Sequence, residues 1–174
     1  MARTESERLL VLLDHIVTTH HDYVRQAIPD ITRRLRVLVT LAADDRPELR
    51  LIQQTFEHLA ASLLSHLDKE EHLLFPYIRD LAQADTTRAP LPPGPFGTLA
   101  NPLRMMEDEH LDARKTLDCI RDLAHRYRTP ATLVPGLAEC YELLRLFDAD
   151  LRTHIHVEEH DLYPRGLDLE ARLT

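Results

Sequence analysis

The sequence predicts an all-α fold, an up-down-up-down four-helix bundle built from a duplicated helical hairpin. Three observations predict it. Apolar residues recur at steps of three and four along most of the chain, without convincing strand alternation. Glycine is scarce, at 4 of 174 residues, and the chain is rich in Leu, Ala, Glu and Arg, which favour helix. Finally, the segment from His66 to Pro76 returns 88 residues later, from His154 to Pro164, and both copies read H-x-x-x-E-E-H-x-x-aromatic-Pro. His21 and His110 form a second repeated pair, 89 residues apart.

The first helix is expected from about Ser6 to Ile28, capped by Thr4 or Ser6. Pro29 should interrupt it, and Ile31 to Ala43 continue the pattern. Asp44-Asp45-Arg46-Pro47 is a stop followed by a start, with Pro47 suited to a first helical position. The second helix should cover about Pro47 to Gln83, kinked or broken near Phe75 by Pro76. The segment 84–99 holds four prolines and two glycines and reads as the one long loop. The third helix covers about Pro102 to Tyr127. After the short turn Arg128-Thr129-Pro130, the fourth covers about Ala131 to Tyr163, ended by Pro164 and Gly166. Residues 1–174 thus form one expected domain, whose halves 1–83 and 100–174 are joined by the Pro-rich loop. Short connections imply antiparallel neighbours.

At 174 residues and 44% hydrophobic content the chain can bury a proper core. Its formal charge of −8 argues against binding nucleic acid through the phosphate backbone. The charged start, Met1 to Arg8, lacks the apolar region of a signal peptide, and no run has the roughly 20 apolar residues of a membrane span. A cytoplasmic protein is expected. Cys119 and Cys140 lack C-x-x-C spacing and read as two half-buried core thiols.

The inward faces carry the chemistry. The second helix presents Ile52, Phe56, Leu59, Leu63, His66, Glu70, Leu74 and Tyr77. The fourth presents Leu137, Cys140, Leu144, Phe147, Leu151, His154, Glu158 and Leu162. The third presents Leu99, Leu103, Met106, His110, Ala113, Leu117, Ile120 and Ala124. The first offers Leu10, Val17, His21, Val24 and Ile28, with Leu9, Leu13, Ile16 and His20 as a competing stripe. A His interrupts each seam, and on two helices a Glu follows one turn later on the same face. Buried carboxylates need a partner or a metal, and no Lys or Arg shares these seams. Hence His21, His66, Glu70, His110, His154 and Glu158 are the expected ligands of two metal ions, about 3.5 Å apart and bridged by both glutamates. Imidazole and carboxylate ligands with open positions suit iron, or manganese as a substitute, better than structural zinc. His72 and His160, two residues past each Glu, should point away. His15, His58, His125, His156 and Glu107 should be solvated.

These strings resemble the hemerythrin-like (HHE cation-binding) family, and within it the di-iron proteins that repair iron–sulfur clusters and respond to nitric oxide. The likeness rests on four segments. They are His20-His21-Asp22-Tyr23 with Ile28-Pro29, the run from His66 to Pro76, Pro102 to His110, and Asp150 to Pro164. The resemblance implies the same six ligands around two non-haem, oxo- or hydroxo-bridged irons, with Glu109 as an acidic neighbour on a ligand path. It further implies a role in nitrosative or oxidative stress and cluster repair, with apo iron–sulfur proteins as clients. Sensing or binding of O2 or NO, iron storage, and di-iron oxidase or peroxidase activity are the alternatives. Two departures stand out. Ala42 occupies a place where relatives often carry a His. Arg114 stands where oxygen carriers have a second His, which argues against a five-His oxygen site.

Overall fold

The computed structural model describes residues 4–91, 94–128 and 134–174. Thr4 caps the first helix reciprocally with Glu7. The Thr4 hydroxyl accepts from the Glu7 N–H at 3.2 Å, and the Glu7 carboxylate accepts from the Thr4 N–H at 2.7 Å. Ser6 is instead buried and donates to Asp85 at 2.5 Å, pinning the start of the first helix to a residue 79 positions along the chain.

The first rod is continuous. It comprises α1 (Glu5–His15), a π-helical turn (Ile16–His21) and α2 (Asp22–Ala42). Pro29 does not interrupt it, contrary to the sequence expectation. Ile28, Ile31, Leu35 and Leu38 are buried around the proline, so packing outweighs its missing hydrogen bond. The second rod is α3 (Glu48–Lys69), a π turn (Glu70–Leu74) and α4 (Phe75–Thr87), which extends into the expected loop by one turn.

The third rod is α5 (Ala100–Leu123). It ends before Tyr127 because His125, Arg126 and Tyr127 all take positive φ. Buried Asp148 anchors that turn, accepting from the Tyr127 hydroxyl at 3.0 Å and from Arg121 at 2.8 Å. The fourth rod is α6 (Leu137–Val157), a π turn (Glu158–Leu162) and α7 (Tyr163–Leu173). The expected turn at Thr129-Pro130 and helix start at Ala131 lie outside the described residues, as do Pro92 and Pro93 of the loop and the first three residues.

Pro164 and Gly166 do not end the fourth rod, which is a second correction. Pro76 and Pro164 both sit in the first turn of an α segment that follows a π turn. A proline costs least there, because the preceding turn is already irregular. Gly166 permits a close approach, since a Cβ on it would stand 2.9 Å from Leu99. Glu170 closes this end of the bundle, accepting from the Tyr77 hydroxyl at 2.8 Å and the Leu99 N–H at 3.0 Å.

α1 packs on α4 and α2 on α3, so the first two rods run antiparallel. α2 also meets α6, and α3 meets α5. The result is the expected up-down-up-down bundle. Its interior has two apolar clusters. One gathers residues such as Ile31, Phe56, Leu117 and Phe147, the other Leu13, Ile78, Met106 and Leu162. On every rod the boundary between the clusters is occupied by buried His or Glu. Ala42 belongs to the first cluster, 21 helical residues beyond His21, or about 30 Å at 1.5 Å per residue. Cys140 is buried, but Cys119 is exposed rather than half-buried. Among the described residues no helix is long and apolar enough to cross a membrane.

Candidate metal centre

The polar layer between the two apolar clusters contains all six residues singled out by the repeat. His21 ends the first π turn, Glu70 and Glu158 begin the other two, and His66, His110 and His154 come from α3, α5 and α6. All six are buried, four of them to 0% exposure. The structure brings them together as two overlapping groups. One holds His21, Glu70, His154 and Glu158, the other His66, Glu70, His110 and Glu158, and the ligand atoms of each group lie within 4.8 Å of one another.

The two carboxylates are shared, and each divides its oxygens between the groups. Glu70 places Oε2 3.4 Å from His21 Nε2 and Oε1 3.4 Å from His66 Nε2. Glu158 places Oε1 3.0 Å from His154 Nε2 and Oε2 3.2 Å from His110 Nε2. Paired imidazole nitrogens stand 3.2 Å apart in the first group and 3.1 Å in the second. Atoms that share a cation at about 2.0–2.2 Å lie roughly 3.0–3.5 Å from each other. Glu70 Oε2 and both oxygens of Glu158 are buried and accept no hydrogen bond among the described residues. Buried acceptors normally find a partner, and imidazole lone pairs do not face each other at 3.2 Å without a proton or cation between them. The donor set therefore fits metal ions in both groups.

Around this layer three of the four histidines are oriented through Nδ1. His21 contacts Glu71 at 2.6 Å, and Arg25 donates to the same carboxylate at 2.7 Å. His110 contacts Glu159 at 3.2 Å, held in turn by Arg114 at 2.9 Å. His66 contacts Glu109 at 2.7 Å, which also receives Lys69. Such carboxylates fix the tautomer that leaves Nε2 free to ligate. Sequence reasoning missed the roles of Glu71 and Glu159. The signal was available, since the second Glu of the E-E pair repeats at the same offset as the first. Tyr163 was also missed, having been read only as a helix end. Its hydroxyl donates to Glu70 at 3.1 Å, and its ring stacks on His110 at 6.0 Å.

The electrostatics follow from burial and charge. Burial opposes charge on every group here. It lowers the His21 pKa, but at His66 the adjacent Glu70 overrides it and raises the imidazole to about 9. Burial is likewise overridden at His154, whose pKa Glu158 raises. At Glu158, His154 and His110 hold the carboxyl well below its usual range. Burial and the two glutamates together push the Tyr163 hydroxyl far up, keeping it a neutral donor.

Both candidate stripes of the first helix place residues in the interior. Leu9 and Leu13 of α1, Ile16, His20 and His21 of the π turn, and Val24 and Ile28 of α2 all face inward, while Leu10 and Val17 are only half-buried. His21 joins the cluster. His20 instead contacts Asp150 at 2.9 Å and stacks on His154. His72 and His160 are exposed and contact carbonyls one turn back, and His15, His58, His125, His156 and Glu107 are exposed as well. A cavity of about 310 Å³ between α3, α5 and α6 reaches the layer, lined by residues that include His66, Lys69, Glu109, His110 and His154.

Residues 12–166 match the hemerythrin HHE cation-binding domain. The chain is 29% identical over 158 residues to a probable iron–sulfur cluster repair protein of Haemophilus influenzae, covering 90% of this chain and 65% of that protein. It is 28% identical over 156 residues to the iron–sulfur cluster repair protein YtfE of Enterobacter sp., with coverage of 90% and 65%. The corresponding protein of Citrobacter koseri is 26% identical over 159 residues, with coverage of 91% and 66%. The chain thus spans just under two thirds of the length of these relatives. With the match running through all four rods and every residue of the polar layer, the chain belongs to the hemerythrin HHE cation-binding domain family.

Proposed function

We propose that this protein holds two non-haem iron ions, one between His21 and His154 and one between His66 and His110, with Glu70 and Glu158 shared by both. The observation that carries the proposal is the sharing itself, because each carboxylate turns one oxygen to each imidazole pair. Two carboxylates offset two positive charges of a cation pair, which four neutral imidazoles could not do. The mixed oxygen and nitrogen set, without thiolates, favours iron over structural zinc.

The physiological role we infer is repair of iron–sulfur clusters under nitrosative or oxidative stress, as the names of the relatives suggest. When bound, the irons would supply redox chemistry, open positions for O2, NO or peroxide, and a source of iron for apo iron–sulfur clients. The chain's own contribution is positional. Glu71, Glu109 and Glu159 orient three imidazoles. Leu59, Leu63 and Ile155 keep part of the cavity wall apolar, while Lys69, Glu109 and Asp112 line it with charge. That cavity is large enough for a diatomic ligand or hydrated ion and too small for a folded partner, so a client would be served by a diffusing species. A cytoplasmic setting goes with this role, since exposed Cys119 stays reduced there.

The test is anaerobic loading with ferrous iron, elemental analysis, and incubation with an apo [4Fe–4S] protein. Two irons per chain and cluster rebuilding at the expense of bound iron are expected. Uptake of no more than one iron overturns the two-ion centre. Two irons without transfer, but with reversible NO or O2 binding, would make the protein a sensor or binding module. Sustained turnover of peroxide would make it an enzyme.

A further inference from the structure

The internal repeat pairs the orienting residues as well as the ligands. Arg25, Glu71 and His21 in one half correspond to Arg114, Glu159 and His110 in the other, and both sets make the same chain of contacts. Lys69, Glu109 and His66 form a third such chain. By the same offsets its counterpart would be Val157, His20 and His154. That fourth chain is broken at two of its three positions. Val157 supplies no cation and His20 no carboxylate.

The structure shows the consequence at His154. Its Nδ1 is buried and has no hydrogen-bond partner among the described residues, although the residue is 0% exposed. His20 cannot serve it. The two rings lie parallel, 6° apart in plane with centroids at 5.4 Å, so no ring nitrogen of His20 aims at His154 in its plane. His20 Nδ1 is also committed to Asp150 at 2.9 Å. An imidazole that ligates through Nε2 must keep its proton on Nδ1, and here that proton meets no acceptor. Buried donors left unpaired are costly, and a ligating His without an orienting acceptor is a weaker ligand.

Glu70 and Glu158 serve both groups, so the carboxylates cannot by themselves make one group tighter through number or identity. Apart from the Tyr163 hydroxyl on Glu70 Oε1, the difference lies with the imidazoles. His66 and His110 are both oriented, whereas of His21 and His154 only the first is. We infer that the centre is built unequal, and that the ion between His21 and His154 is the one the protein gives up first. This rests on the two-ion reading above and specifies it, since a protein that donates iron needs one ion that leaves while the other keeps the layer assembled. Loss of an orienting partner typically changes metal affinity about 10–100-fold, which sets the size of the expected difference.

The experiment is anaerobic release from the fully iron-loaded chain into a ferrous chelator, followed by absorbance and by residual iron per chain. The wild type should lose iron in two phases of one ion each, separated by about 10–100-fold in rate or in chelator concentration. Glu109→Ala removes the third orienting chain at a half-buried position, and should bring the second phase towards the first without changing the first. The double variant H20E/V157K rebuilds the fourth chain, and should slow the first phase towards the second. Should the buried Glu of that variant prevent folding, the wild-type phases and Glu109→Ala still decide the matter. Loss of both ions in a single phase overturns the proposal. So does acceleration of the first phase by Glu109→Ala, which would put the easily lost ion at His66 and His110. Uptake of only one ion at saturation is a different failure, because it overturns the two-ion reading beneath.

Discussion

The Tyr163 hydroxyl donates to Oε1 of Glu70 at 3.1 Å, across the bundle from the first residue of α7 to the first residue of the π turn Glu70–Leu74. At the repeat-related position stands Phe75, which has no hydroxyl and stacks instead on His21 at 5.6 Å. Glu70 therefore has one hydrogen-bonded oxygen and one without a donor. Tyr163→Phe should leave the ring packing intact but strand the second oxygen. Stability of the chelator-stripped chain should fall by about 1–3 kcal/mol, the cost of an unpaired buried acceptor. The loaded chain should still hold two irons. Denaturant melts of both forms check this, and equal stability of the variant and the wild type in the stripped form would contradict it.

Shared ligands and bystanders should separate by metal content. Glu158→Ala removes an oxygen from each group and should lose or cripple the whole centre. His154→Ala should weaken mainly the ion beside His21. His72→Ala and His160→Ala should leave iron content unchanged, because both rings are exposed and bond only to carbonyls of their own helix. Iron per chain after identical reconstitution measures all four. Full occupancy in Glu158→Ala would remove it from the bridge.

The repeat made the buried His and Glu layer legible, since H-x-x-x-E at the same offset on two helices fixes both face and level. The register of the first rod was less so. A period of 3.6 residues extended through Ile16–His21 forces a choice between His20 and His21, but the π turn admits one extra residue and turns both inward. The prolines misled for a related reason. By the local rule Pro29 and Pro164 stop a helix, whereas Ile31, Leu35, Leu169 and the Glu170 clamp hold the helices through tertiary contacts the rule does not see. The break expected near Phe75 was closer, because the π turn Glu70–Leu74 ends there. Glu71, Glu109 and Glu159 could not be assigned partners from periodicity alone, since each reaches a histidine on another rod.

The two thiols should differ sharply in reactivity. Cys119 is exposed, whereas burial pushes the Cys140 thiol up to about 12. Only the thiolate is nucleophilic, so at pH 8 Cys140 is both covered and protonated. A disulfide reagent should titrate one thiol in the native chain and two in denaturant. Two fast thiols under native conditions would mean that the first apolar cluster opens readily.

Stripped and loaded chains should respond to pH in opposite directions. With the metal removed, His66 has a folded pKa of about 9 against an ordinary 6.5, raised by Glu70 against the opposing effect of burial. A raised pKa means that its stabilisation is complete below 6.5 and is lost as pH climbs through about 9. For a shift of this size the loss is on the order of 3 kcal/mol. His154 is raised as well and acts in the same direction. His21 is lowered and Glu158 is held well down, so their contributions are lost at the acid end instead. The stripped chain should thus be most stable near pH 6 and weaken towards pH 9. The loaded chain needs all four imidazoles unprotonated at Nε2, so protons compete with iron and acid should release it. The gain in melting temperature from iron should therefore widen from pH 6 to pH 9. Calorimetry on both forms across that range is the check, and a gain that narrows with rising pH would mean that the buried histidines are not the groups that hold the metal.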